Sequence, residues 1–345
     1  MKAVMLTGIR QMEMKEVADP VIKNDTDVLI KMATVGVCGS DVHYYVSGKI
    51  GSQVVKYPFT VGHEGAGIVE KVGSAVTNVK PGDRIAIEPA VSCHKCDQCL
   101  MGRHHTCRSL LFLGCPGQIE GCLSEYIVMP QESCFKINGD MTLEQAAISE
   151  PLSIGVYAVK QSMAMKDAKI GILGCGPIGL CVMLPARKQG AVKVYVTDKI
   201  DSRAQLAVGN GADWGGNPDK VDVVNEIMAR EPGGLDVVFE CCGQQDAIDQ
   251  AIEVLRPGGK LMLIGIPEHD RISIHIDKAR RKEICLQNVR RQCDCVQSSL
   301  DLIDNKAFDV DFMVTHRFGF EQTKQAFDLV AGYEDGIVKA MIEFN

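Results

Sequence analysis

"KIGILGCGPIGLCVMLPA", residues 169–186, decides how the chain reads. A short apolar run, Ile170–Leu173, has the character of a buried strand and ends on Gly174. "GCGPIG", Gly174–Gly179, then opens a stretch of helical character. The pattern G-x-G-x-x-G is weak alone, but between a strand and a helix it is the dinucleotide-binding fingerprint. Gly174 makes the tight turn, Gly176 lets a pyrophosphate approach the backbone, and Gly179 allows the helix to pack closely on the strand. Pro177 and Ile178 open the helix, whose free N–H groups and dipole favour phosphate. Nineteen residues past Gly179, Asp198 closes "VKVYVTD". A carboxylate there accepts hydrogen bonds from the adenosine ribose and repels a 2′-phosphate, so NAD(H) is expected, with Lys199 and Arg203 nearby as cations able to meet a phosphate. The bland alternative is a tight strand-to-helix turn without a ligand.

Ile170–Ala186 holds seventeen residues without a charged side chain, near the lower limit for a membrane helix. Four glycines and two prolines within it favour the buried strand and packed helix instead, and no transmembrane span is expected. Around this core, from Leu152 to Cys293, strand-like runs alternate with helical ones: "VKVYVTD", "SRAQLAVGNGA", "LDVVFEC", "QDAIDQAIEVLRPGG", "KLMLIGI", "EICLQNV". Such alternation implies a parallel sheet covered by helices on both faces.

The flanking segments read differently. Residues 1–151 show short β-branched runs cut by glycine and proline, such as "DVLIKMATVGVCG", "GAGIVEKVG" and "PGDRIAIEPAV". Residues 294–345 begin helical and end on a short strand, "KAMIEF". A chain of 345 residues exceeds the roughly 250–300 at which single cores stop growing, so two domains are expected. With 46% apolar and 23% charged residues, both can bury sizeable cores. A net charge of −7 offers no field to gather nucleic acid. The start lacks a basic head followed by an apolar core, so no secretory signal is expected. Fifteen cysteines without such a signal favour a reducing cytoplasm and thiolate chemistry over disulfides.

Four of those cysteines form C-x2-C-x2-C-x7-C: Cys93, Cys96, Cys99 and Cys107. Four thiolates on a compact polar loop suit a closed tetrahedral Zn²⁺ site, which holds structure and leaves no position for chemistry. An iron–sulfur cluster takes the same ligands. The other ten, Cys115 to Cys295 apart from these and Cys38, read as small buried hydrophobes. A second donor set lies in separate loops: Cys38, Ser40, His43 and Tyr44 in "VCGSDVHYY", His63 and Glu64 in "VGHEGAG", and Glu150 in "ISEPLSIG". A thiolate, an imidazole and a carboxylate leave one zinc position open, as a catalytic site requires.

"CGSDVHYY", "GHEGAGIVEKVG", "KPGDRIAIEP", the four-cysteine loop, "EPLSIG", "GCGPIG" and "LRPGGKLMLIG" stand in one order along essentially the whole chain. In this the sequence resembles the zinc-dependent medium-chain dehydrogenases, and within them the sorbitol (L-iditol) and xylitol dehydrogenase branch. The resemblance implies an α/β protein: a GroES-like β-barrel catalytic domain, residues 1–151 and 294–345, and a Rossmann doubly wound parallel-sheet domain, residues 152–293, with the active site in the cleft. It implies two zinc ions per chain, with Cys38, His63 and a carboxylate, Glu64 or Glu150, at the catalytic one. It assigns substrate contacts to Tyr44, Glu150 and Arg290, and coenzyme contacts to Ile178, Asp198, Arg203 and Ile264, Gly265 and Ile266. Ser40 is placed to take the alcohol proton and His43 to relay it. The family's Arg-Tyr pair reads Arg290-Arg291 here, an extra cation that shifts preference towards another polyol or an acidic sugar. The expected partner is a small-molecule polyol, and relatives imply a homo-oligomer, a tetramer or a dimer. Rivals are a same-fold butanediol, threonine or sugar-acid dehydrogenase, and a zinc-clamped module that only senses NAD(H).

Overall fold

Strands covered on both faces read as near-continuous apolar runs, and Ile170–Leu173, Val194–Val196, Val237–Phe239 and Leu261–Leu263 are such runs. The computed structural model describes residues 1–267 and 271–344. Contacts among them divide the chain into two units, Met1–Glu150 with Val296–Asn345, and Pro151–Cys295.

In Pro151–Cys295 six strands form one parallel sheet: β1 (Lys169–Leu173), β2 (Lys193–Thr197), β3 (Trp214–Gly216), β4 (Leu235–Glu240), β5 (Leu255–Leu263) and β6 (Cys285–Asn288). Their spatial order is β3-β2-β1-β4-β5-β6, every neighbour pair parallel. Parallel neighbours need crossovers, and helices Pro177–Lys188, Asp201–Gly209, Val223–Arg230, Gln245–Val254 and Ile276–Arg281 follow β1 to β5 in turn. The order reverses direction between β1 and β4, the place where doubly wound sheets bind ligands beyond their strand ends. The long apolar run is thus β1 plus a buried helix: Gly179 through Ala186 are all buried. Among the described residues no helix is long and apolar enough to cross a membrane.

The packing of that helix on β1 depends on Gly179. A Cβ there would collide with the Gly174 carbonyl oxygen and approach the Ile172 side chain at 3.2 Å. Gly174 itself has φ +102°, a left-handed conformation that glycine adopts without strain. Gly179→Ala is expected to cost about 1–3 kcal/mol, the range for overpacking, visible as a lower denaturation midpoint with an unchanged slope.

The second unit is built on the ten-residue strand Asp27–Gly36. It pairs antiparallel with Glu64–Val72 along one edge. Along the other it pairs first with Tyr126–Pro130 and then with Lys339–Glu343. The sheet continues outward through Arg84–Ile87 to Cys134–Lys136 on one side and to Val314–Gly319 on the other. The C-terminal segment is therefore an interior strand, with Met341 opposite Gly36 and Glu343 opposite Thr34. The strand Asp27–Gly36 leads directly into helix Gly39–Ser47, whose N-cap is Cys38. An apolar core of Val28, Ile30, Met32, Val61, Ile85, Ile87, Phe327 and Ile342, among others, fills this unit.

All fifteen cysteines are free. The expectation of burial for those outside the ligand sets fails at Cys242 and Cys285, which are exposed, and at Cys241 and Cys293, which are half-buried. Cys285 begins the sheet's edge strand, which among the described residues pairs on one side only, and Cys242 lies in the loop that follows β4.

Candidate metal centres and dinucleotide turn

The loop 93–107 gathers its four sulfurs through a short helical turn, Asp97–Leu100, and a single 3₁₀ turn, His104–Thr106. The Sγ separations are 4.0 Å for Cys93–Cys99, 3.6 Å for Cys96–Cys99 and 3.9 Å for Cys96–Cys107. A tetrahedron with Zn–S bonds of about 2.3 Å has edges of about 3.8 Å, so the cage matches zinc. Backbone amides aim at the same point: the N–H groups of Cys93 and Ser109 donate to Cys107 Sγ at 3.3 and 3.4 Å. The Arg108 and Cys99 amides pull the Cys96 thiol down to about 6, whereas burial pushes Cys99 up to about 12. Arg108 grips Asp97 with two bonds, at 2.5 and 2.8 Å, and ties the end of the loop to its middle. With all four donors protein sulfurs, nothing is left for substrate. The four-cysteine cluster fits a structural zinc.

The other cluster joins three parts of the sheet unit. Cys38 caps helix Gly39–Ser47, while Glu64 opens the strand Glu64–Val72 and His63 precedes it. One ligand atom of each lies within 4.8 Å of the other two. His63 and Glu64 are buried, and Cys38 is half-buried. A sulfur, a nitrogen and an oxygen are the donor types zinc accepts, and three protein ligands leave a fourth position open. Glu150 is not in this cluster; it is buried on helix Leu143–Ser162. Of the two carboxylates left open by the sequence, geometry puts Glu64 with the sulfur and the imidazole.

Two residues that sequence reasoning passed over hold this set in place. Asp41, fully buried, accepts from the Gly62 amide at 3.2 Å and the Cys38 amide at 3.3 Å. Its Oδ1 stands 3.2 Å from His63 Nδ1, which turns Nε2 towards the other ligands, the usual device for orienting a metal-bound imidazole. Burial alone would depress the His63 imidazole. The Asp41 carboxylate, followed by the Cys38 sulfur, outweighs it and raises His63 well above its ordinary value. The same negative surroundings favour a cation at that point. The signal for Asp41 was its place three residues after Cys38, the capping-box position of a helix start.

The second is Lys339, on the tail strand and 1% exposed. Its Nζ donates to Glu64 Oε2 at 2.6 Å and to the Val37 carbonyl at 3.2 Å. One carboxylate oxygen of Glu64 is thereby committed, leaving the other for a metal. The lysine within "IVKAMIEF" was the available signal, because a charge buried in an interior apolar strand must find a partner.

The proton-handling candidates sit on the helix that Cys38 caps. Ser40 Oγ donates to Cys38 Sγ at 3.3 Å, and His43 follows three positions on, on the same face. Tyr44 is buried, with its hydroxyl donating to Gln53 Oε1 at 3.0 Å. Phe112 packs its ring 5.3 Å from that of His63.

In the other unit, Asp198 shapes the glycine turn before any ligand arrives. Its Oδ2 accepts from the Cys175 amide at 2.7 Å and its Oδ1 from the Ile200 amide at 2.9 Å. Each carboxylate oxygen keeps a further lone pair for a ribose hydroxyl. Gly176 is the N-cap of helix Pro177–Lys188, with Pro177 at its first position, so the free amides of Ile178 and Gly179 face outward. Arg203 is buried, with Nη1 3.8 Å from where a Cβ of Gly176 would stand. Ile264, Gly265 and Ile266 leave the end of β5, and the Ile264 and Gly265 amides donate to the Glu240 carbonyl. Arg290 is exposed just beyond β6.

Comparison with known proteins agrees with this arrangement. Residues 24–139 match the alcohol dehydrogenase GroES-like domain, and residues 177–305 match the zinc-binding dehydrogenase domain. A sorbitol dehydrogenase of Bacillus subtilis is 34% identical over 100% of this chain and 98% of its own. An L-idonate 5-dehydrogenase of Vitis vinifera is 34% identical over 95% of this chain and 91% of its own. Among solved structures, an oxidoreductase of unknown specificity from Escherichia coli superposes with a TM-score of 0.94 at 32% identity, covering 100% of this chain and 99% of that one. With both domain types in place and this likeness along its whole length, the chain belongs to the zinc-binding dehydrogenases of the medium-chain alcohol and polyol type.

Proposed function

We propose that the protein oxidises a secondary hydroxyl of a sorbitol- or xylitol-like polyol to a ketose, with the hydride passing to NAD⁺. The observation that carries this reading is the Cys38–His63–Glu64 cluster, a set of three donors of which one is a carboxylate; on a zinc ion such a set would leave a fourth position for substrate. Cys38, His63 and Glu64 hold the catalytic zinc, and Cys93, Cys96, Cys99 and Cys107 the structural one. When bound, zinc supplies Lewis acidity that lowers the hydroxyl's pKa, and NAD⁺ accepts the hydride.

The chain's own residues do the rest. Asp41 keeps the His63 ring in one orientation, and Lys339 keeps Glu64 in one rotamer. Ser40, released from Cys38 Sγ by a rotation of its hydroxyl, accepts the alcohol proton. His43, one turn along the same helix, passes it to solvent, a role that suits an imidazole near neutral pH. Atoms balance: the carbinol carbon loses a hydride and its oxygen loses a proton. Asp198 selects the dinucleotide by its ribose, and the turn Gly174–Gly179 receives the pyrophosphate, with Arg203 beside it. Glu150, outside the three-donor cluster, would serve as a substrate contact. All-free cysteines suit a cytoplasmic enzyme, and a tetramer or dimer is the expected assembly.

A panel of C4–C6 polyols, diols and aldonates with NAD⁺ and NADP⁺, followed by reduced-nicotinamide absorbance, tests the reading. Turnover of a polyol with NAD⁺ is expected, with kcat/KM for NAD⁺ at least about tenfold above that for NADP⁺. Activity with NADP⁺ alone would overturn the role of Asp198. Turnover of aldonates in place of polyols would favour the sugar-acid reading, to which the Arg290-Arg291 pair and the L-idonate relative point.

A further inference from the structure

We propose that Glu240 is a positioning residue of the coenzyme site: its carboxylate and its own carbonyl hold two turns together as the surface on which the nicotinamide half of the dinucleotide lies. The assignment rests on the NAD⁺ reading above and deepens it. Glu240 ends β4, beside the place where the strand order reverses, and is 1% exposed. Four backbone amides converge on it. Its Oε1 accepts from the Cys242 amide at 2.7 Å and from the Gly243 amide at 2.5 Å. Its carbonyl accepts from the Ile264 and Gly265 amides at 2.9 and 3.0 Å. The first pair belongs to the turn that follows β4, and the second to the turn that follows β5. Amides bonded to a carboxylate are held more strongly than amides bonded to a neutral acceptor.

Those two turns are packed so closely that neither can shift alone. A Cβ at Gly265 would collide with the Gly243 nitrogen and stand 2.8 Å from Glu240 Oε2. Gly243 has φ +71°, and a Cβ there would collide with the Ile266 oxygen. On its other side the β4 turn meets the dinucleotide turn. A Cβ at Gly174 would stand 2.9 Å from the Cys242 Cβ and 3.1 Å from its nitrogen, and the Cys241 amide donates to the Leu173 carbonyl at 2.8 Å. The ends of β1, β4 and β5 thus form one backbone surface with Glu240 at its centre. The coenzyme's course across it follows from the strand order. Asp198, just past β2, faces the adenosine ribose and the turn after β1 faces the pyrophosphate, so the remaining half extends over β4 and β5. Loss of the Glu240 carboxylate would release the Cys242 and Gly243 amides and, through Gly243, the stretch Gly265–Ile266.

The test measures binding apart from turnover. NADH fluorescence titrations compare wild type with Glu240→Ala and Glu240→Gln, beside titrations with ADP-ribose, which lacks the nicotinamide. Glu240→Ala should weaken NADH by about tenfold and lower kcat by about 10–100-fold, while ADP-ribose binding stays within about threefold. Glu240→Gln keeps an oxygen for both amides and should bring NADH binding back to within about threefold of wild type. Hydrogen exchange without coenzyme should show lost protection at Cys242 and Gly243 in the alanine variant and not in the glutamine one. If the alanine variant does not fold, Glu240→Asp, whose shorter side chain cannot reach both amides, takes its place in the same comparison. Unchanged NADH affinity, an equal loss of ADP-ribose, or a glutamine variant as weak as alanine would overturn the assignment and leave the NAD⁺ reading intact. A wild type that binds neither NADH nor ADP-ribose would remove that reading itself.

Discussion

Lys339→Met should lower the stability of the metal-free protein by about 3–5 kcal/mol, the cost of leaving a buried partner charge alone. Lys339 and Glu64 are 1% and 2% exposed at their side chains, and their contact at 2.6 Å is the means by which either charge is tolerated there. Methionine matches the stem of lysine but offers Glu64 nothing. For a unit of this size about 2–4 °C of melting temperature follows each kcal/mol, so the metal-free transition should fall by roughly 6–20 °C. Zinc changes the outcome in a definite direction, because a bound cation compensates the same carboxylate. The variant should therefore lose less stability when loaded, and the rise in melting temperature on adding zinc should be larger than in wild type. Scanning calorimetry with and without chelator decides it. Equal losses in both states, or a loss below about 1 kcal/mol, would mean that Lys339 is a packing residue and leaves Glu64 unaffected.

The second large effect separates the two metal centres. Wild type should carry two zinc ions per chain by elemental analysis. Cys38→Ala should retain one and lose activity by at least about 10³-fold, since Lewis-acid assistance is worth several kcal/mol. Its fold should survive, because Asp41 still caps and orients the surrounding loop. Cys96→Ala should also fall to one zinc, but by a different route. Three sulfurs and a missing corner destroy a closed tetrahedron whose binding energy is folding energy. The loop 93–107 should then become protease-sensitive while Cys38 and His63 keep their own ion. If Cys38→Ala released both ions, or Cys96→Ala neither, the division of labour would be wrong.

Some of this was open to reading from the chain and some was not, for physical reasons. The parallel sheet was legible because each strand is followed by its own helix, so local periodicity and global topology carry the same information. The glycine turn was legible because backbone approach and a left-handed φ restrict which residue can stand at Gly174 and Gly179. The other unit was harder. Its central strand pairs with partners about forty, a hundred and three hundred residues away, and alternation within a strand says nothing about which neighbour it finds. That is why Lys339 escaped notice: its partner is 275 residues earlier. Asp41 escaped because a helix-start acid has an ordinary explanation in capping. The pair Glu64 and Glu150 shows the limit most sharply. Both carboxylates follow motifs of the right kind, and only the fold, by pairing Glu64 with Gly36 two residues before Cys38, brings one of them to the sulfur. Cys242 and Cys285 misled in the opposite sense, because sheet-edge and loop positions cannot be read from residue type.

The interior position of the tail strand also sets a schedule for biosynthesis. Ribosomes add about 5–20 residues per second, so the 275 residues between Glu64 and Lys339 take roughly 14–55 s to make. Throughout that interval the nascent chain presents an acid with no amine to neutralise it and a sheet with a missing member. Capture of metal by the thiol and imidazole can begin early, but closure over it awaits the emergence of the final strand.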